Sequence, residues 1–162
     1  MEISFLMAFI LVGNVKIHRN FATRFLIPSL NIRKMKNSIT LGALLMSLAI
    51  VLGAFAAHGL KNILNEHSIE IFNKGVYYQV IHSFGILFSA LLLKDSVSLR
   101  RVTILFLAGI ICFSGSLYLL AFSAYLNEVV EKIAGPITPI GGLFFVASWL
   151  ALARAYRKLE IN

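Results

Sequence analysis

Apolar residues in this chain are concentrated in four long runs separated by short polar connectors. The runs cover residues 39–57, 76–93, 102–126 and 137–153. A hydrocarbon core about 30 Å thick is crossed by a helix of about 20 predominantly apolar residues, so each run is long enough to cross a bilayer as one helix. The pattern predicts an all-α fold, an integral membrane four-helix bundle, with residues 35–162 forming one domain.

The connector between the first two runs is amphipathic. Its sequence, GLKNILNEHSIEIFNKG at residues 59–75, places most of its apolar side chains on one helical face. Such a pattern predicts a short helical segment that lies in the membrane interface. Asn65 is a suitable N-cap for it, because its side chain can accept a hydrogen bond from a backbone N–H. Gly75 is predicted to end this segment before the second run.

Residues 1–34 differ from the rest of the chain. Their apolar run, MEISFLMAFILVG, is too short to cross a bilayer unaided, and the basic residues follow it instead of preceding it as in a secretory signal. Met35 begins MKNSITLGALL, a short basic lead followed directly by an apolar run. Two interpretations are open: an over-extended reading frame upstream of the true initiator Met35, or an amino-terminal anchor on the membrane surface.

Composition agrees with a membrane protein. The chain is 59% hydrophobic and 14% charged, with a mean hydropathy of +0.84, whereas soluble domains carry about a quarter charged residues. Its net charge is +8, but the basic residues fall at the ends of the runs and form no continuous face, which argues against a nucleic-acid partner. We expect membrane lipid as the partner, with a homo-oligomer or other membrane proteins as further candidates.

The distribution of basic residues predicts the orientation of the bundle. Lysine and arginine in short loops are retained on the cytoplasmic side of a membrane. The opposite loops carry Lys61, Lys74 and Lys132 beside four glutamates. We therefore expect both termini in the cytoplasm. The basic residues at the proposed cytoplasmic ends are Arg33, Lys34, Lys36, Lys94, Arg100, Arg101, Arg154, Arg157 and Lys158.

Small residues recur at four-residue spacing in every run. Helices in lipid associate through close backbone approach, which small residues permit. Thr138 and Pro139 predict the start of the fourth helix, because threonine caps an N–H and proline has none to leave unpaired. The glycines expected at helix contacts are Gly53, Gly85, Gly115, Gly141 and Gly142.

Polar residues within the runs suggest a pocket. His58 closes the first run, and His82 lies in the second on one helical face with Tyr78 and Gln79. Ionisable groups within spans are costly and are treated as functional candidates. In the predicted topology these residues share the outer half of the membrane with polar residues of the later runs. The candidate pocket comprises His58, Tyr78, Gln79, His82, Ser114, Ser116, Tyr118 and Thr138.

Three interpretations of this pocket are open. It is a hydrogen-bonded network that holds the helices in register, as in a small structural or accessory membrane protein. Alternatively, it is a binding or transport site of an oligomeric permease for a small solute, lipid or ion. In the third, His58 and His82 are ligands of a haem or metal, although the sequence has no Glu-x-x-His or His-x-x-x-His pair.

We expect no cofactor, since the first two interpretations require none. We also expect no enzymatic activity, because no carboxylate lies within any run to act as an acid or base.

Four motifs in order, LGAFAAHGLK, YYQVIHSF, FSGSLYLL and GPITPIGGLFFVASWLAL, carry a family resemblance. Together they resemble domain-of-unknown-function family 423, the YgdD-like small four-helix membrane proteins, over about residues 35–155. The resemblance implies a multi-pass protein of the bacterial inner (plasma) membrane and implies no particular activity. The family's usual GAFGAHGL reads GAFAAHGL here, with Ala56 in place of one glycine.

Overall fold

The computed structural model describes residues 32–93, 95–126 and 128–159. The predicted amino-terminal extension, residues 1–34, lies almost wholly outside the described residues. The described residues form no strand. A short 3-10 helix, Leu60–Asn62, follows the first α-helix, and a π-helical segment, Ile110–Ser114, joins the third to the fourth. The α-helices are α1 (Ile32–His58), α2 (Glu66–Leu92), α3 (Ser96–Gly109), α4 (Gly115–Ala121) and α5 (Glu128–Leu159).

Four helical stretches among the described residues are long and apolar enough to cross a membrane. The third stretch combines α3, the π-helical segment and α4. The prediction of an all-α protein with four membrane-spanning helices is confirmed. The stretches are Arg33–Asn62, Glu66–Leu92, Ser96–Ala121 and Val129–Lys158.

The connector after α1 contains less separate helix than predicted. The 3-10 helix is three residues long, and α2 already begins at Glu66. The prediction that Asn65 is an N-cap is confirmed, since its Oδ1 accepts a hydrogen bond from the Ser68 N–H at 2.8 Å. Gly75 does not end a helix as predicted. It is buried within α2, where an added Cβ would lie 2.7 Å from the Tyr118 ring.

The start of the last helix was predicted wrongly. α5 begins at Glu128 and contains both Pro136 and Pro139, so Thr138 is an interior residue. Its hydroxyl is 3.1 Å from the Ala134 carbonyl, one turn earlier. Proline is tolerated within a membrane helix because neighbouring helices and hydroxyl side chains supply bonds to the backbone groups that it leaves free.

Two buried clusters hold the helices together. One surrounds Phe106 and joins α2, α3 and α5, with Met35 and Ile39 of α1 packed against it. The other surrounds Phe72 and joins the opposite ends of α1, α2 and α4. Because the first cluster includes residues near the start of α1, the start of α3 and the end of α5, it places the basic ends of these helices on the same side of the bundle.

Helix α3 begins with a capping carboxylate. Asp95 Oδ2 accepts a hydrogen bond from the Ser98 N–H at 2.8 Å, and Oδ1 accepts one from the Val97 N–H at 3.2 Å. Hydrogen bonds from the Ser98 side chain and from these two N–H groups lower the pKa of the Asp95 carboxyl below its ordinary value of 3.8. The ionised form is therefore the form that stabilises the helix start.

We expect this cap to contribute stability that depends on pH. Replacing Asp95 with Ala should cost about 1 kcal/mol at pH 7. Because the folded-state pKa is lowered, the contribution is complete above the ordinary pKa and is lost as the pH falls through the lowered value. The Asp95→Asn variant can still cap but does not titrate. Thermal melts of the three proteins check this. In acid, the melting temperature of the native protein should approach that of Asp95→Ala, whereas Asp95→Asn should stay more stable than Asp95→Ala at every pH.

Candidate functional site

A series of side-chain hydrogen bonds connects all four spans. Gln79 of α2 donates through Nε2 to the Leu45 carbonyl of α1 at 2.8 Å, and its Oε1 accepts from the Tyr118 hydroxyl of α4 at 2.9 Å. Two residues before Tyr118, the Ser116 hydroxyl lies 2.7 Å from the Thr138 hydroxyl of α5. We call Gln79, Ser116, Tyr118 and Thr138 the polar bridge.

Two of the four residues of the polar bridge are buried, and all four side chains have internal hydrogen-bond partners. Gln79 is 2% exposed and Ser116 is 3% exposed, so an unpaired group at either position would be costly. The Ser116 and Thr138 hydroxyls also lie within hydrogen-bonding distance of the Phe113 and Ala134 carbonyls of their own helices. Since each hydroxyl has one hydrogen, one can donate within its own helix while the other donates across to it.

His82 belongs to an aromatic cluster and not to the polar bridge. Its ring stacks on Phe145 of α5, with centroids 3.4 Å apart and planes inclined by 6°. Its Nδ1 is 2.7 Å from the Tyr78 carbonyl in the same helix, and the Tyr78 ring centroid lies 5.8 Å from that of His82 and 4.4 Å from that of Phe113. The imidazole thus acts as a flat packing element between α2 and α5. The aromatic cluster comprises Tyr78, His82, Phe106, Phe113, Phe145 and Trp149.

His58 lies away from the other predicted pocket residues. It is exposed at the end of α1, with Nδ1 3.3 Å from the Ala54 carbonyl. A Cβ on Gly53 would contact Val76 and one on Gly42 would contact Leu87, so α1 and α2 run antiparallel. This pairing places His58 more than two turns from His82, roughly 15–20 Å along the helix axis. The two histidines are therefore not positioned to bind one haem iron or one metal ion together.

The π-helical segment ends at Ser114, which is another residue of the predicted pocket. The Ser114 hydroxyl is fully buried and, like that of Ser83, has no hydrogen-bond partner among the described residues. A π-helical segment adds one residue to a turn and so rotates the following helix by about 100°. The sequence carried no signal for it. The rotation changes which face of α4 carries Ser116 and Tyr118.

The predicted packing glycines occupy different surroundings. An added Cβ at Gly141 would lie 2.7 Å from the Phe113 Cα, and one at Gly85 would lie 2.9 Å from the Phe106 ring. At Gly53 it would meet a Val76 methyl at 3.4 Å, an ordinary contact, and at Gly142 it would lie 3.8 Å from the Phe113 ring. At Gly115 it would meet no heavy atom within 4 Å, so the structure does not place this glycine at a tight helix contact.

Gly115 instead borders a groove between the π-helical segment, α4 and α5. The groove has a volume of about 440 Å³, and apolar side chains such as Ile111, Leu119 and Ile133 form most of its wall. Ser116 also lines the groove, but its hydroxyl is bonded within the polar bridge. Within residues 32–93, 95–126 and 128–159, no three His, Cys, Asp or Glu side chains are close enough to hold a metal ion.

A family model described as "Protein of unknown function (DUF423)" matches residues 52–142, which include the whole polar bridge. The chain belongs to the DUF423 family. The resemblance seen in the four sequence motifs is thereby confirmed. Similar chains from Staphylococcus haemolyticus, Bacillus subtilis and Haemophilus influenzae are each described as a UPF0382 membrane protein.

Three relatives show the extent of the similarity. A Haemophilus influenzae relative is 44% identical over 121 residues, covering 74% of this chain and 93% of its own. A Staphylococcus haemolyticus relative is 40% identical over 119 residues, with 73% and 93% covered. YwdK of Bacillus subtilis is 38% identical over 127 residues, with 76% and 98% covered. No solved structure matches the DUF423 chain.

Proposed function

We propose that this DUF423 protein is a small structural or accessory protein of the bacterial inner membrane. The observation that carries the proposal is the polar bridge, in which Gln79 is bonded to Tyr118 and to the backbone of α1, and Ser116 is bonded to Thr138. Polar side chains that bind a solute must present free donors or acceptors to it. Here most of those groups are already used to join α1, α2, α4 and α5, which favours a network that holds the helices in register.

The surroundings of the histidines support the same proposal. His82 is 5% exposed, with one ring face on Phe145, so a permeating ion or solute would have to displace the aromatic cluster to reach it. A carrier that used His58 and His82 as paired ligands would need the two imidazoles close together, whereas they lie at different levels of the bundle.

Basic side chains support an orientation with both termini in the cytoplasm. Arg33, Lys34 and Lys36 near the start of α1, Arg100 and Arg101 in α3, and the basic residues at the end of α5 share one end of the bundle. Retention of lysine and arginine on the cytoplasmic side would fix the bundle with that end inward.

Large apolar side chains on the outside of the bundle support lipid as the main partner. Leu91 is 75% exposed, Leu143 70% and Leu44 64%, values typical of surfaces that face acyl chains. The same surfaces could receive a second copy or another membrane protein.

A flux assay tests the proposed function. The purified protein is reconstituted into liposomes, and movement of protons, potassium and glycerol is compared with that in protein-free liposomes and in liposomes carrying His82→Phe. We expect all three preparations to have the same permeability, because the side chains of the polar bridge are bonded internally. Flux that the native protein raises several-fold and that His82→Phe abolishes would contradict a structural role and favour the permease.

A further inference from the structure

A second groove lies between α1 and α3 at the basic end of the bundle. It has a volume of about 210 Å³. Its lining changes from charged to apolar over about two helical turns, from Lys34 to Leu41 on α1, with Arg100 and Ile104 at corresponding levels of α3. The lining residues are Lys34, Asn37, Ser38, Leu41, Arg100, Thr103 and Ile104.

Two hydroxyls form the floor of this groove and fix its width. Ser38 of α1 and Thr103 of α3 lie with their hydroxyl oxygens 3.1 Å apart. Both residues are buried, at 6% and 8% exposed. The hydrogen bond holds the two helices together below Lys34 and Arg100. The cations therefore lie over a polar floor, and Leu41 and Ile104 provide apolar walls.

The charge of the groove has one sign. Lys34 and Arg100 line it and no carboxylate does, and neither cation forms an ion pair with a carboxylate in the part of the chain that the structure describes. Asp95, the acidic residue at the start of α3, is occupied by the N–H groups of Val97 and Ser98. An anion in the groove would therefore meet two positive side chains and the amide of Asn37 without a competing carboxylate.

We propose that this groove binds the headgroup of an anionic phospholipid. The phosphate lies between Lys34 and Arg100, where a guanidinium can donate two parallel hydrogen bonds to its oxygens. Asn37 is placed to donate a further bond, and an acyl chain descends along Leu41 and Ile104. The apolar walls favour a lipid over a free phosphate, which has no apolar part to bury. Basic pockets between helices on the cytoplasmic side suit anionic headgroups.

Native mass spectrometry of the full-length protein in mild detergent tests this site. The probe is a phosphatidylglycerol, compared with a phosphatidylcholine of the same acyl chains. The test variant is Lys34→Gln with Arg100→Gln. The matched control is Lys36→Gln with Arg101→Gln, which removes the same charge from exposed positions of the same helices outside the groove.

We expect the native protein to prefer phosphatidylglycerol, and the groove variant to bind it about 10- to 30-fold more weakly, as two lost cation contacts imply. The control should stay within about threefold of the native protein. If phosphatidylglycerol binding weakens equally in the groove variant and in the control, the lipid responds to the general surface charge and the proposal is overturned. Equal binding of the two lipids would also overturn it, as would full competition by inorganic phosphate at the lipid concentration. None of these outcomes depends on whether the protein conducts solutes.

Discussion

Replacing Gly141 with Ala should lower the free energy of unfolding by about 1–3 kcal/mol. The added Cβ would lie 2.7 Å from both the Cα and the Cβ of Phe113. Because part of this contact is backbone, a side-chain rotation cannot relieve it, and α5 would have to move away from the π-helical segment. That movement would also lengthen the Ser116–Thr138 hydrogen bond between α4 and α5.

Gly142 provides a control at the adjacent position. A Cβ there would lie 3.8 Å from the nearest heavy atoms, in the Phe113 ring. Alanine is the better helix former by about 0.5–1 kcal/mol, so Gly142→Ala should be neutral or stabilising. Unfolding in mixed micelles, followed by the fluorescence of the chain's one tryptophan, Trp149, gives both values. Equal stability of the two variants would show that α5 does not contact the Phe113 backbone.

Removing the His82 side chain should have the other large effect. The ring is 5% exposed and is stacked on Phe145. Replacing His82 with Ala would leave a cavity between α2 and α5 that costs about 2–4 kcal/mol, within the range for buried large-to-small substitutions. The same detergent titration measures the loss, provided that the refolded protein regains the native tryptophan spectrum.

Two further variants separate packing from chemistry at His82. Phenylalanine keeps a flat ring against Phe145, so His82→Phe should cost less than about 1.5 kcal/mol. The side chain of His58 is exposed, so the free energy of unfolding of His58→Ala should lie within about 0.5 kcal/mol of the native value. If His82→Phe proves as damaging as His82→Ala, the imidazole nitrogens contribute more than its flat shape, and the packing interpretation is wrong.

The sequence was sufficient to predict the spans but not their contacts. Hydropathy located all four spans, because an uninterrupted run of about 20 apolar residues is typical of a membrane-spanning helix. Asn65 was recognisable as a cap because capping depends on residues three apart. Thr138 and Pro139 led to a wrong helix start because they also form a local capping pattern. Prolines within membrane helices are tolerated when neighbouring groups satisfy the backbone, so this pattern does not require a helix to begin there.

The candidate site was predictable as a set of residues and not as an arrangement. The polar residues in apolar runs are few, so Gln79, Tyr118 and Ser116 were evident as candidates. The stacking of His82 on Phe145 depends on residues 63 positions apart and has no local signal. The rotation introduced by the π-helical segment is likewise a result of packing. These contacts separate the polar bridge from His82 and place His58 outside it.

The coupling between Gln79 and Tyr118 tests the central claim most directly. A double-mutant cycle uses Gln79→Leu, Tyr118→Phe and the double variant, each unfolded in mixed micelles. If the polar bridge holds α1, α2 and α4 together, each single variant should be destabilised, and the two changes should be coupled by about 0.6–1.7 kcal/mol. Stabilities that add within about 0.3 kcal/mol, with both single variants as stable as the native protein, would contradict a structural role for these side chains.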